Sequence, residues 1–162
     1  MPEIVDPEFG PLELRRGSWR GIVHVPALGG DIPFEFDTIH LQPPHASQRA
    51  CLSDFLGRCD DAFVRRIERA IFDYAQLLLQ EQDVFGREKD ALDRIVQPDD
   101  VWKTIDDLSI LVFFDDEQPA DTMALCWTAE WEDEHGLQVL YRVGGDIRAT
   151  IRGDDYFDDS PP

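Results

Sequence analysis

Polar and apolar positions alternate with a period of two through the first third of the chain. Ile32, Phe34 and Phe36 fall on one face while Glu35 and Asp37 fall on the other, the pattern of a half-buried strand. Leu12 to Leu14 and Trp19 to Val25 read the same way, with turns at Arg16-Gly17-Ser18 and Gly29-Gly30-Asp31. These segments predict a three-stranded antiparallel meander. Pro33 cannot donate to a ladder, which puts its strand at a sheet edge there or at a bulge.

After Pro43-Pro44 the period becomes helical. From Ala46, the residues Ala50, Cys51, Phe55 and Leu56 share a stripe, with Gly57 as the expected stop. Asp60-Asp61 then supplies cap chemistry for a long helix from Ala62 to about Gln82. Its apolar face is Phe63, Ile67, Ala70, Ile71, Tyr74, Ala75, Leu77 and Leu78, and Arg65, Arg66, Glu68, Arg69 and Asp73 hold the opposite side. Residues 83 to 97 lack a clear period and read as a loop with a turn around Ala91 to Val96. Pro98-Asp99-Asp100 opens a further short helix whose apolar side is Val101, Trp102 and Ile105.

The period returns to two for Ser109 to Phe114, Met123 to Asp133, Leu137 to Val143 and Asp146 to Arg152. His135-Gly136 and Gly144-Gly145 are the expected hairpin turns, the latter short enough for a primed turn. The order of strands, helices and strands predicts an α+β fold: an N-terminal antiparallel β-meander, central helices including one long amphipathic helix, and a C-terminal antiparallel β-sheet under that helix. At 162 residues, residues 1–152 are expected to form a single domain, followed by an acidic, frayed tail over 153–162.

Charge changes the picture of what such a domain does. The chain carries 34 Asp and Glu against 15 Lys and Arg, a formal net charge of -19. Residues 99–162 hold 17 acids and 4 bases, a balance of -13, and residues 1–98 hold 17 acids and 11 bases, a balance of -6. A nucleic-acid-binding role needs a cationic surplus that is missing here, and an anionic membrane surface is equally unsuited. Charge of this size favours encounter with a positively charged protein. The start of the chain has no basic region followed by an apolar run, and no apolar stretch approaches the roughly 18 residues of a spanning helix, so the expected location is cytoplasmic. Cys51, Cys59 and Cys126 are expected to be reduced and mostly buried.

Two acidic groups are the candidate contacts for a cationic partner. Asp115, Asp116 and Glu117 lie in a loop between strands. Glu130, Glu132 and Glu134 alternate along the strand around Trp131, so with Thr128 they are expected on one face while Trp127, Ala129, Trp131 and Asp133 occupy the other. Arg142, Arg148 and Arg152 on neighbouring strands are the expected partners if that face is only a solvated, charge-paired surface. Carboxylates two apart on a strand stand roughly 6 to 7 Å from each other. Glu130, Glu132 and Glu134 with His135 are therefore also candidate ligands for Ca²⁺ or Mg²⁺.

No dinucleotide, phosphate-loop, zincin or nucleophile-elbow motif is present, and His24, His40, His45 and His135 are scattered. No cofactor is expected. Trp19, Trp102, Trp127 and Trp131 are expected in the core.

Phe9-Gly10-Pro11-Leu12, Trp19-Arg20-Gly21, the helices from Ala46 to Leu56 and Phe63 to Leu79, Pro98-Asp99-Asp100-Val101-Trp102 and Trp131-Glu132-Asp133-Glu134-His135-Gly136-Leu137 together resemble an uncharacterised bacterial family of small acidic α+β domains, over roughly Phe9 to Ile151. The resemblance implies no activity, cofactor or catalytic residue. It implies a likeness in size and charge to immunity proteins, which bind basic toxins. The reading that follows is a non-enzymatic protein-binding domain, in its specific form an immunity protein neutralising a basic toxin. Two alternatives stand beside it: a metal- or small-ligand-dependent enzyme with its site at Glu130 to His135, and a domain whose acidity serves only solubility.

Overall fold

The computed structural model describes residues 2–81, 84–115 and 120–152. Its fold is α+β. Eight strands, β1 (Glu3–Asp6), β2 (Gly10–Arg15), β3 (Ser18–Val25), β4 (Gly30–Asp37), β5 (Ile105–Val112), β6 (Thr122–Ala129), β7 (Glu132–Arg142) and β8 (Asp146–Ile151), form one sheet in sequential order. The expected N-terminal meander and C-terminal sheet are thus halves of a single sheet. They join where β4 and β5 run parallel, Phe34 to Phe36 against Ile110 to Val112, and every other pair is antiparallel. A parallel pair needs a long crossover, and the helices α1 (Ala46–Arg58), α2 (Asp61–Gln80) and α3 (Gly86–Asp93) lie in it. Pro33 pairs with Ile22 of β3 and precedes the first residue joined to β5, so β4 has a neighbour on one side only at that point.

α2 forms because its apolar residues recur at helical spacing and because the Asp60 carboxylate accepts the Phe63 N–H at 2.8 Å. Its stripe of Phe63, Ile67, Ile71 and Ala75 is buried. The three larger side chains each contribute about 1.5–3 kcal/mol of transfer free energy. Leu77, expected on that face, is 54% exposed, because it lies about 100° around the helix from the centre of the stripe. α1 runs through Gly57 to Arg58, and the Cys59 N–H closes its last turn on Phe55 O at 2.9 Å. The stretch read as loop contains α3, a weak pattern in which only Ala91 and Leu92 are buried. The helix opened by Pro98 is a 3-10 helix, Pro98–Lys103.

Beneath the helices, Phe34 meets Phe36 with ring centroids 5.3 Å apart, and Phe55 meets Tyr141 at 5.2 Å. Two polar side chains fasten the layers. Gln48, 1% exposed, donates to Asp37 O at 2.8 Å and to Phe113 O at 3.3 Å, tying α1 to the ends of both parallel strands. Asp54 of α1 accepts from the Tyr141 hydroxyl of β7 and from the Gly144 N–H at 3.0 Å, while Arg58 Nε holds the same carboxylate at 3.1 Å. These three donors, the tyrosine foremost, hold the Asp54 carboxyl at a pKa of about 2. Burial and the neighbouring carboxylate push the Tyr141 phenol well above its ordinary range.

Two turns differ from expectation. The β7–β8 loop is Val143-Gly144-Gly145, closed by the Arg142 and Asp146 pair, rather than a two-residue turn. His135-Gly136 is not a turn at all but lies within β7, and the β6–β7 reversal falls at Glu130-Trp131. Trp131 is the reason: its indole is 1% exposed and donates to Thr104 Oγ1 at 3.0 Å, so the reversal is drawn into the core. Among the described residues, no helix is long and apolar enough to cross a membrane.

Candidate functional site

The reversal at Glu130-Trp131 dissolves the expected carboxylate row. β6 and β7 pair through Trp127 with Leu137 and then Ala129 with Glu132, so Asp133 to Gly136 bulge outward opposite Thr128. Gly136 has φ +77, and a Cβ on it would sit 2.7 Å from the Trp127 carbonyl oxygen, so the bulge is shaped around a glycine. Trp127, Ala129 and Trp131 are buried as expected, but Asp133 is exposed with Glu130 and Glu134, and Glu132 is half-buried. Glu130 pairs with Arg94 and Asp133 with Arg87 at 3.0 Å, both arginines coming from the α3 segment. Arg142 instead pairs with Asp146 at 3.2 Å on its own hairpin. Glu132 meets His135 at 3.3 Å, and Glu134 is exposed. Exposed pairs of this kind contribute about 0–1 kcal/mol each, so they leave the surface free to exchange partners. No three His, Cys, Asp or Glu side chains among the described residues are grouped to hold a metal ion, and Glu130, Glu132, Glu134 and His135 are no exception.

Asp115 does not stand beside Glu130, Glu132 and Glu134. Asp115 follows the C-terminal end of β5, beside the start of β6, whereas Glu130, Glu132 and Glu134 lie beyond the end of β6. The eight residues of β6 separate them by roughly 23 Å along the strand. Asp116 and Glu117 lie outside the described residues, as does the tail from Gly153.

A second feature stands at the Glu130 end, built from residues that the sequence reading placed elsewhere or passed over. β5 begins at Ile105, not Ser109, and its register with β6 slips between Asp106 and Ser109. Asp107 sits in this irregularity at φ +55, a conformation that Asp adopts more readily than most side chains. Behind it, a recess of about 320 Å³ is lined by Leu28, Val64, Trp102, Leu108 and Trp127, with Asp106 and Asp107 among its walls. Trp102 is only partly buried, held by its indole N–H to Glu68 Oε2 at 2.6 Å and by edge contact with Trp127, centroids 6.2 Å apart. The 3-10 helix carrying it opens at Pro98, and its Asp100 reaches back to accept the Val96 and Gln97 N–H groups at 3.1 Å each. Lys103 first, then those N–H groups, lower the Asp100 pKa. The signal for this site was the break in alternation at Asp106-Asp107, between the apolar Ile105 and Leu108.

The cysteines are not activated as nucleophiles. Burial first, then Asp121 and Asp54, push the Cys51 thiol up to about 12, and burial with Asp60 raises Cys59 to about 11. Both thiols stay protonated at neutral pH, and Cys51 and Cys126 are buried.

The chain matches no curated protein and no solved structure. A family model, the domain of unknown function DUF6985, matches residues 8–152, which spans the described strands from β2 to β8 and every helix. The chain belongs to the DUF6985 family.

Proposed function

We propose that this protein is a non-enzymatic binding domain that docks a cationic protein, in its specific form an immunity protein that occupies a basic toxin. One observation carries the reading: pairing every one of the 15 Lys and Arg with one of the 34 Asp and Glu still leaves 19 carboxylates without a cation. Such a surplus repels itself in the free protein and is relieved by a partner of opposite sign. The docking end is the one holding Glu130, Glu132 and Glu134. There Arg87 and Arg94 already bridge to Asp133 and Glu130 in exposed pairs that an incoming arginine or lysine can replace.

The test is affinity capture from the source cell's lysate at about 50 mM and about 500 mM salt, a contrast that separates electrostatic from apolar contacts. The wild type is run beside two charge reversals, Glu132→Lys with Glu134→Lys, and Asp115→Lys with Asp121→Lys. The expected result is one basic protein retained at low salt, released at high salt, and lost with the first variant only. Retention by both variants, or no salt dependence, would sink the reading.

A further inference from the structure

The recess beside Trp102 selects its occupant by size and chemistry. At about 320 Å³ it lies at the bottom of the range for small-ligand pockets, roughly 300–1,000 Å³, and has room for one long side chain. Two indoles form part of its wall. Among the described residues, the cations seated over aromatic rings are Arg66 on Phe63 and Arg69 on Phe72, and none covers Trp102 or Trp127. Asp106 and Asp107 are exposed, and no Lys, Arg or His pairs with either among the described residues. The polar contacts they do make are local, the Asp107 N–H donating to Asp106 Oδ1 at 2.9 Å and Thr128 Oγ1 donating to the Asp106 carbonyl at 3.2 Å.

An anion is repelled by these carboxylates. A neutral apolar group would gain from the apolar wall but desolvate the carboxylates without pairing them. A cation with an apolar stem satisfies both walls, and a guanidinium does so better than an ammonium: it is flat, stacks on indole, forks onto carboxylates and gives up water more readily. We propose that this recess receives an arginine side chain of the partner protein, its stem against Leu28 and Leu108 and its guanidinium between the two indoles and the carboxylates of Asp106 and Asp107. The source of the arginine rests on the docking reading above, but the pocket's preference for guanidinium can be measured without any partner.

The probe is N-acetyl-arginine-N-methylamide, titrated into protein with ¹⁵N-labelled indoles, beside the lysine and the uncharged citrulline counterparts. The expected result is saturable movement of the Trp102 and Trp127 indole signals by the arginine compound. Lysine should bind at least about threefold more weakly, and citrulline should produce no saturation. Asp106→Asn with Asp107→Asn should weaken arginine binding at least about tenfold, since both exposed carboxylates that meet the guanidinium are neutralised. These variants keep the fold, since asparagine retains the acceptor used by the Asp107 N–H and tolerates positive φ. Unmoved indoles at about 20 mM arginine compound, a concentration that populates even weak complexes, overturn the proposal, as does an equal response to citrulline or an unchanged affinity in the double variant. The two readings separate cleanly. Arginine binding without any captured basic protein sinks docking and leaves the pocket, while capture that survives Asp106→Asn with Asp107→Asn, without indole movement, sinks the pocket and leaves docking.

Discussion

Replacing Asp54 by asparagine isolates the charge that fastens α1 to the β7–β8 hairpin. Asparagine keeps an oxygen for the Tyr141 hydroxyl and the Gly144 N–H, so the change removes charge more than shape. The Asp54 pKa falls from 3.8 to about 2, an interval that corresponds to at most about 2.5 kcal/mol. The side chain is 25% exposed, and solvent screening reduces the expected loss to about 1–1.5 kcal/mol at pH 7. A carboxyl whose folded pKa lies below its unfolded value stabilises fully above about pH 4, and the contribution fades as pH falls toward 2. Urea unfolding followed by tryptophan fluorescence at pH 7 and pH 2 should therefore show a deficit for Asp54→Asn that shrinks to less than about a third at the lower pH. The region around the pI of 4.3, where net charge vanishes, is avoided. An equal deficit at both pH values would refute the electrostatic account, and so would a carboxyl NMR titration of Asp54 with a midpoint near 4.

Gly21 of β3 faces the core with no room for a side chain, since a Cβ would stand 2.8 Å from both Leu12 Cδ2 and Phe34 Cζ. Gly21→Ala should cost about 1–3 kcal/mol in urea unfolding, and a neutral result would show that the two neighbours yield freely. Gly136→Ala combines φ +77 with a clash against backbone, and should cost more than Gly21→Ala in the same assay because a carbonyl cannot rotate aside. Iodoacetamide at pH 7.5 should leave Cys51 and Cys126 unmodified in native protein under conditions that alkylate all three cysteines in urea, as peptide mapping would report. Rapid native labelling of Cys51 would contradict its burial and its pKa of about 12.

Local pattern carried the elements whose stability is local. α2 was legible because apolar side chains recur every three to four residues over 20 residues, with a capping aspartate in place. β2, β3 and β4 were legible because the sheet is covered on their Leu12, Val23 and Phe34 side, which imposes strict alternation. β1 was not, since its Val5 is 82% exposed and its Asp6 is 3% exposed, an inversion paid back by the Glu8 and Phe9 N–H groups and Arg49 that meet the Asp6 carboxylate.

What the chain's own order of residues decided is the fold class, the long helix, the excess of carboxylates and the family to which they belong. Tertiary packing decided which carboxylates stand together. Burial of the Trp131 indole moved the β6–β7 reversal forward, turning a row of glutamates into a bulge served by Arg87 and Arg94. The slipped register of β5 set Asp106 and Asp107 beside Trp102 and Trp127, a meeting of residues four to 25 positions apart that no local period encodes. The antiparallel pairing of β5 with β6 then placed Asp115 and Glu130 at opposite ends of those two strands. Period reports which way a side chain faces, whereas register, which only long-range pairing sets, determines what it faces.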